Sequence, residues 1–190
     1  TADPLGYPDG WNNFAYVNNW VIFSIDPLGT VIIIIGSDEY KASVQAALEQ
    51  MNSTPTGAGI LKQLNDSTNT HTITNGSENT CSYNGVDARN GTGTGSNVSF
   101  NPDATSADDW ERPGWAGLAH ELVHSFDADT GTMASKGNTA DGVPNNEINS
   151  CRETNRMLLE NDPNATVRTK YGENPLPPDA INPKPKPKPE

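Results

Sequence analysis

Apolar positions along the 190 residues are few and gathered in short blocks, which predicts short elements joined by long polar connections. The longest apolar run, Val31-Ile32-Ile33-Ile34-Ile35, is β-branched and strand-sized, and reads as a buried strand. From Tyr40 to Met51, Val44, Ala47 and Leu48 fall at helical spacing, so a helix is expected there. Thr56 to Leu64 predicts a turn entering a second short helix. Residues 67–100 are polar, alternate in places, and contain Asn75-Gly76, Asn84-Gly85 and Asn90-Gly91. Each pair suits a type I′ turn, so the stretch is expected to form short β-hairpins. His71 falls in an alternating Thr-His-Thr-Ile-Thr segment and is read as a surface or cross-strand residue. A helix is expected over Trp115–Phe126, with Pro113 at its start and Gly131 past its end. Another is expected to open at Asn145-Asn146-Glu147 and to carry Ile148, Cys151, Leu158 and Leu159. The fold class is therefore α+β: a compact domain with a small sheet and hairpin region beside helices.

The third predicted helix brings in chemistry. It contains His120-Glu121-Leu122-Val123-His124, and the chain has only three histidines. Two histidines four apart project from one helical face a turn apart, so both can bind one metal ion. Glu121, beside the first histidine, is placed to take a proton from an activated water rather than to bind the metal. This pattern predicts a zinc metallopeptidase centre, provided the motif lies on a helix pinned by apolar neighbours. Leu118, Ala119, Leu122 and Val123 supply those neighbours. Zinc in a hydrolase takes a third protein ligand. The downstream candidates are Asp127, Asp129, Asp141, Glu147 and Glu153. Asp127 and Asp129 follow too closely in sequence to return to the metal. Glu147, at the start of the next helix, fits best, and Glu153 is the fallback. A peptide deformylase would use an upstream cysteine such as Cys81, and a deuterolysin-like site an aspartate where Ser135 stands. Both rank below Glu147.

Two resemblances extend this reading. Asn146-Glu147-Ile148-Asn149-Ser150 resembles the Asn-Glu-x-x-Ser start of the third-ligand helix in thermolysin-like gluzincins. Those enzymes follow the ligand with an aspartate four residues on. Here that position is Cys151, which leaves the hydrogen-bond partner of a ligand histidine unassigned. From about Met51 to Pro178 the chain resembles the NleD-like zinc metallopeptidases, injected effectors and C-terminal toxins of Rhs proteins. The likeness is carried by Ser53-Thr54-Pro55-Thr56-Gly57, Phe100-Asn101-Pro102, the Gly117–His124 block, Glu147 and Arg168-Thr169-Lys170-Tyr171. It implies a zincin-like fold, Zn2+ on His120, His124 and Glu147, and Glu121 as general base. Tyr171, with Arg168, would stabilise the oxyanion. By family geometry, the β-region would offer an edge strand to an extended peptide. One departure is the pair Cys151 and Arg152, where small and apolar residues are expected.

The first stretch, with Asp3-Pro4-Leu5-Gly6 and Asp26-Pro27-Leu28-Gly29 bracketing aromatic and Asn-rich sequence, resembles the C-terminal end of an Rhs-repeat core. In that family the matching aspartates, Asp3 and Asp26, take part in autoproteolysis. With the rest of the shell absent, none is expected here. Three segments are thus expected: 1–29 as the shell-closing end, 30–180 as the peptidase toxin, and 181–190 as a Pro/Lys tail. The implied partners are a target-cell protein substrate, an Rhs shell and an immunity protein, and the implied location is secreted or delivered to a target cell, of bacterial origin.

Composition narrows the alternatives. The formal net charge of −12 disfavours a phosphate-backbone partner, so a nuclease tip is disfavoured and no nucleic acid is expected. A non-catalytic tip with a structural metal would gain nothing from Glu121. No apolar run is long enough to span a bilayer. Thr1-Ala2-Asp3-Pro4 has neither a basic stretch nor an apolar run, so no signal peptide is expected there. Cys81 and Cys151 allow one disulfide, and spacing alone does not decide whether they pair. The Pro-Lys repeat at the end predicts an extended, solvated spacer.

Overall fold

The computed structural model describes residues 32–107 and 110–186. The Rhs-like segment 1–29 lies outside these residues, as do 108–109 and 187–190. Strand β1 (Ile32–Ile35) is followed by helices α1 (Asp38–Asn52) and α2 (Pro55–Asp66). Strands β2 (His71–Asn75), β3 (Thr80–Tyr83) and β4 (Ser96–Phe100) come next, then a two-residue ladder of β5 (Ser106–Ala107) and β6 (Trp110–Glu111). Helices α3 (Gly114–Asp129) and α4 (Asn145–Asn161) follow, then a ladder of β7 (Lys170–Tyr171) and β8 (Asn174–Pro175), and the short α5 (Pro178–Ile181).

Local sequence accounts for most boundaries. Ser37 caps α1 by accepting from the Tyr40 N–H, and Thr54 caps α2 by accepting from the Gly57 N–H. Pro55 occupies the first turn of α2, where its missing N–H costs nothing. Gly131, at φ 69°, ends α3, and a Cβ there would stand 2.7 Å from Gly91 backbone atoms. Pro144, not Asn145 or Asn146, occupies the cap position of α4, without a side-chain cap bond.

The sheet departs from the expected hairpins. Its strand order is β1-β2-β4-β3, with β1, β2 and β4 parallel and β3 antiparallel at the edge. None of the three Asn-Gly pairs closes a two-residue hairpin. Asn75 ends β2, whose neighbour is β4 and not β3. Asn84 instead accepts from the Val86 N–H and leads into a 3-10 turn at Asp87–Arg89. The connection then passes Gly91 and Gly93, both at positive φ, before β4 begins. Turn chemistry is local, whereas β4 slots between β2 and β3 because Val98 and Phe100 bury completely there. The predicted buried strand at 31–35 is also only half right. Val31 lies outside the described residues; Ile32 is buried, but Ile35 is 55% exposed, because among the described residues β1 pairs with β2 alone.

One core joins the sheet to the helices. Ile73, Val98 and Phe100 meet Leu118, Leu122 and Val123 of α3, with Val44, Met51 and Leu64 from α1 and α2 closing it. Helix α3 is thereby held rigidly between the sheet and α4. Asn155 of α4 fixes the chain leading to β7: its side chain donates to the Arg168 carbonyl and accepts from the Arg168 N–H, each at 2.8 Å. The tail is not a free spacer as far as it is described. Lys186 donates its N–H to Glu160 at 2.9 Å, and Arg156 donates to the Lys184 carbonyl. No helix among the described residues is long and apolar enough to cross a membrane.

Candidate metal centre

Helices α3 and α4 bring three donors to one point. The two imidazoles leave α3 one turn apart, their ring centroids 5.0 Å from each other. Glu147, in the first turn of α4, directs Oε2 to 3.1 Å from His120 Nε2 and 3.2 Å from His124 Nε2. All three ligand atoms lie within 4.8 Å of one another, and this is the group of three or more such donors found among the described residues. Two imidazole nitrogens and a carboxylate oxygen, part-buried and converging, fit a divalent metal of the kind met at catalytic three-ligand sites. Burial alone would raise the Glu147 pKa, but its bonds to His120 and His124 hold it well below the usual carboxylate range.

The unassigned hydrogen-bond partner of a candidate ligand histidine proves to be Ser150. Its hydroxyl stands 3.0 Å from His124 Nδ1, and it reaches the Asn146 carbonyl at 3.5 Å. With a metal on Nε2, Nδ1 would carry the proton and donate to Ser150, which would fix tautomer and ring orientation. Asn146 donates to Glu147 Oε1 at 2.7 Å and so aims the other oxygen at the histidines. The Asn-Glu-x-x-Ser pattern thus contained both orienting groups. Only the serine's target, 26 residues back in the chain, was invisible in sequence.

The competing ligands are elsewhere. Asp127 accepts both of its 2.9 Å bonds from Asn149, tying α3 to α4. Asp129 receives Ser67, Asn69 and Gln63 on the far side of α3. Glu153 pairs with Arg156 and, at 3.6 Å, Lys186. Asp141 is exposed in the α3–α4 connection, as is Ser135. Cys81 lines the cavity over the metal group but is not one of its converging donors. Its Sγ lies 3.5 Å from Ser125 Oγ, and burial pushes the thiol up to about 12. No disulfide joins Cys81 and Cys151, which resolves the open question of their pairing. Cys151 is buried with Val143, Leu176 and Ala180, and Arg152 pairs with Asp179 at 2.7 Å. The unexpected residues after Glu147 therefore face a small second core and the surface, not the metal group.

Glu121 is buried beside the group, at 7% exposure. Burial raises its pKa, against the pull of His120 and His124. It lines two adjoining cavities, one of about 220 Å³ toward β3 and one of about 530 Å³ toward β6. Tyr171 lines both, and Arg168 lines the larger. The Arg168 guanidinium carbon is 4.5 Å from the centroid of the Tyr171 ring, so the two form one wall facing Glu121. The remaining histidine, His71, is fully buried and lies cross-strand from Ser96, not at the surface.

No individually curated protein matches the chain. A model of the Peptidase M91 family, described as effector protein, matches residues 29–188. The match spans α3, α4 and the wall formed by Arg168 and Tyr171, so the whole centre lies inside it. The chain belongs to the Peptidase M91 family of effector proteins.

Proposed function

We propose that the chain is a zinc-dependent endopeptidase acting as the toxin tip of an Rhs-type protein, with a protein of the target cell as its substrate. The observation that carries this reading is the convergence of His120, His124 and Glu147 with Glu121 buried alongside. A zinc ion there would acidify a water and polarise the scissile carbonyl. Glu121 accepts the proton of the attacking water and passes it to the leaving amine. Tyr171 and Arg168, across the cleft, donate to the oxyanion that develops on the carbonyl oxygen. Strand β3 has no neighbour on its outer side among the described residues, and it runs along the cavity over Glu121. An extended peptide adds to this edge through backbone hydrogen bonds.

Delivery by an Rhs shell rests on the paired Asp-Pro-Leu-Gly motifs of residues 3–29, immediately ahead of the family match. The chain then divides into a shell-closing end at 1–29, a peptidase at 30–180 and the Pro/Lys tail, with an immunity protein as a further partner. The decisive experiment is Glu121→Gln. It should retain stoichiometric zinc by elemental analysis and lose cleavage by roughly 10²- to 10⁴-fold, the range for a general base. Full cleavage by this variant would sink the mechanism.

A further inference from the structure

The larger cavity beside Glu121 has one wall whose hydrogen-bond donors lack acceptors. Arg112, between β6 and α3, is 9% exposed. Among the described residues its side chain has a single protein acceptor, the Gly114 carbonyl at a long 3.4 Å, although a guanidinium carries five N–H groups. It stacks 5.9 Å from the Trp110 ring centroid and has no ion pair among the described residues. Asn79 is in the same condition. Its Oδ1 accepts from the Asn101 N–H at 2.7 Å, while its Nδ2 is buried with no partner. Buried donors are almost always satisfied, so such a group calls for an acceptor from outside.

The two sets of donors meet at Gly117. A Cβ on this residue would lie 2.2 Å from Asn79 Nδ2 and 2.3 and 2.6 Å from the terminal nitrogens of Arg112. Glycine is unfavourable inside a helix, and here it opens the space in which the donors gather, one turn before Glu121. The positive charge of Arg112 does act on Glu121, but the two do not pair. Such long-range support explains neither the orphaned amide nor the helix glycine. Arg168 lines the same cavity, so two guanidinium groups serve one space in a chain of net charge −12.

We propose that Arg112 and Asn79, gathered at Gly117, form a subsite that recognises a carboxylate of the peptide substrate beside the scissile bond. The guanidinium grips the two carboxylate oxygens as a fork, and the Asn79 amide adds a further donor. The carboxylate comes either from an Asp or Glu side chain or from a peptide C-terminus. This inference rests on the peptidase reading and names the substrate class for it.

Two measurements test it. In the first, metal-loaded, ¹⁵N-labelled protein is titrated with N-acetylglutamate α-amide and, separately, with N-acetylglutamine α-amide. The Asn79 side-chain amide and the Arg112 Nε–H signals should shift saturably with the acid alone. Asn79→Asp keeps the acceptor for Asn101 but replaces the free donor, and Gly117→Ala fills the cradle. Both should abolish the response while the rest of the spectrum reports an intact fold. Equal shifts with both probes, or none, overturn the proposal whether or not any peptide is cleaved.

In the second, matched peptides carry Glu or Gln at each position and a free or amidated C-terminus. The wild type should prefer the carboxylate in kcat/KM by roughly 10- to 100-fold, the range for a hydrogen bond to a charged group. That ratio should fall toward one in Arg112→Gln. A preference that follows the Glu position identifies a side chain, and one lost on amidation identifies the terminus. A ratio unchanged in Arg112→Gln, with both peptides slowed alike, assigns Arg112 to supporting Glu121 and overturns the subsite. A wild type that cleaves no peptide defeats the peptidase reading, and the titration then decides the subsite by itself.

Discussion

Two buried histidine–carboxylate clusters lie on opposite faces of α3, and they differ in access and in how their donors converge. On the sheet side His71 stands 3.3 Å from Asp129 and 2.9 Å from Ser96, an arrangement with the ingredients of a hydrolytic triad. Ser96 passes the chain on to Ser125 at 2.8 Å, and Ser67, Asn69 and Gln63 complete the set around Asp129. His71 is wholly buried and Ser96 nearly so, and their polar groups are occupied. On the other face, His120, His124 and Glu147 border open cavities, and one carboxylate oxygen is shared by two imidazoles. Residue types alone do not separate these clusters. Access and the convergence of three donors do.

The sharpest way to break the contrast is to remove a converging donor. Glu147→Ala should reduce bound metal to background by elemental analysis, while Glu153→Ala keeps it. Metal retained in Glu147→Ala would place the third ligand elsewhere. Next in size, Ser150→Ala should weaken metal binding by roughly 10- to 100-fold in chelator competition, the usual effect of freeing a ligand histidine. It should leave the fold in place.

Changes at the closed cluster should move stability instead. His71→Ala leaves the Asp129 carboxylate and the Ser96 hydroxyl short of a buried partner, at a cost of about 1–3 kcal/mol. Denaturant unfolding should show this with metal content unchanged. The smallest effect is the pH dependence. Burial lowers the His71 pKa below its ordinary 6.5, against the attraction of Asp129, so the folded chain holds it neutral. A depressed histidine favours the fold fully above pH 6.5. The benefit is lost as pH falls from there toward the folded value, because the unfolded chain then binds more protons. Unfolding midpoints should drop across that window in the wild type and drop less in His71→Gln. A steeper slope in the variant would contradict a neutral His71.

The candidate metal cluster was more legible than the sheet that supports it. His120, Glu121 and His124 announce themselves because four-residue spacing on a helix is a local code, and Glu147 follows from a helix start. Strand order is not local. The Asn-Gly pairs at 75–76 and 84–85 signalled turns, yet β4 comes from beyond them to separate β2 from β3. The Ser150 bond to His124 and the meeting of Asn79 with Arg112 at Gly117 join residues 26 positions apart in the first case and on three different segments in the second. No periodicity encodes such encounters. They arise only when the core of Val98, Phe100, Leu118 and Leu122 has set the distance between sheet and helix.

The outer edge of β3 carries one further consequence, for how substrates would be measured. A chain laid along it advances about 3.3 Å per residue and turns alternate side chains to the cleft and to solvent. Recognition there counts in steps of two. Inserting a single residue between an anchoring side chain and the cut would present the opposite set of side chains to the cleft. Two otherwise identical substrates would then differ in parity, and an insertion could protect a target more completely than most substitutions within it.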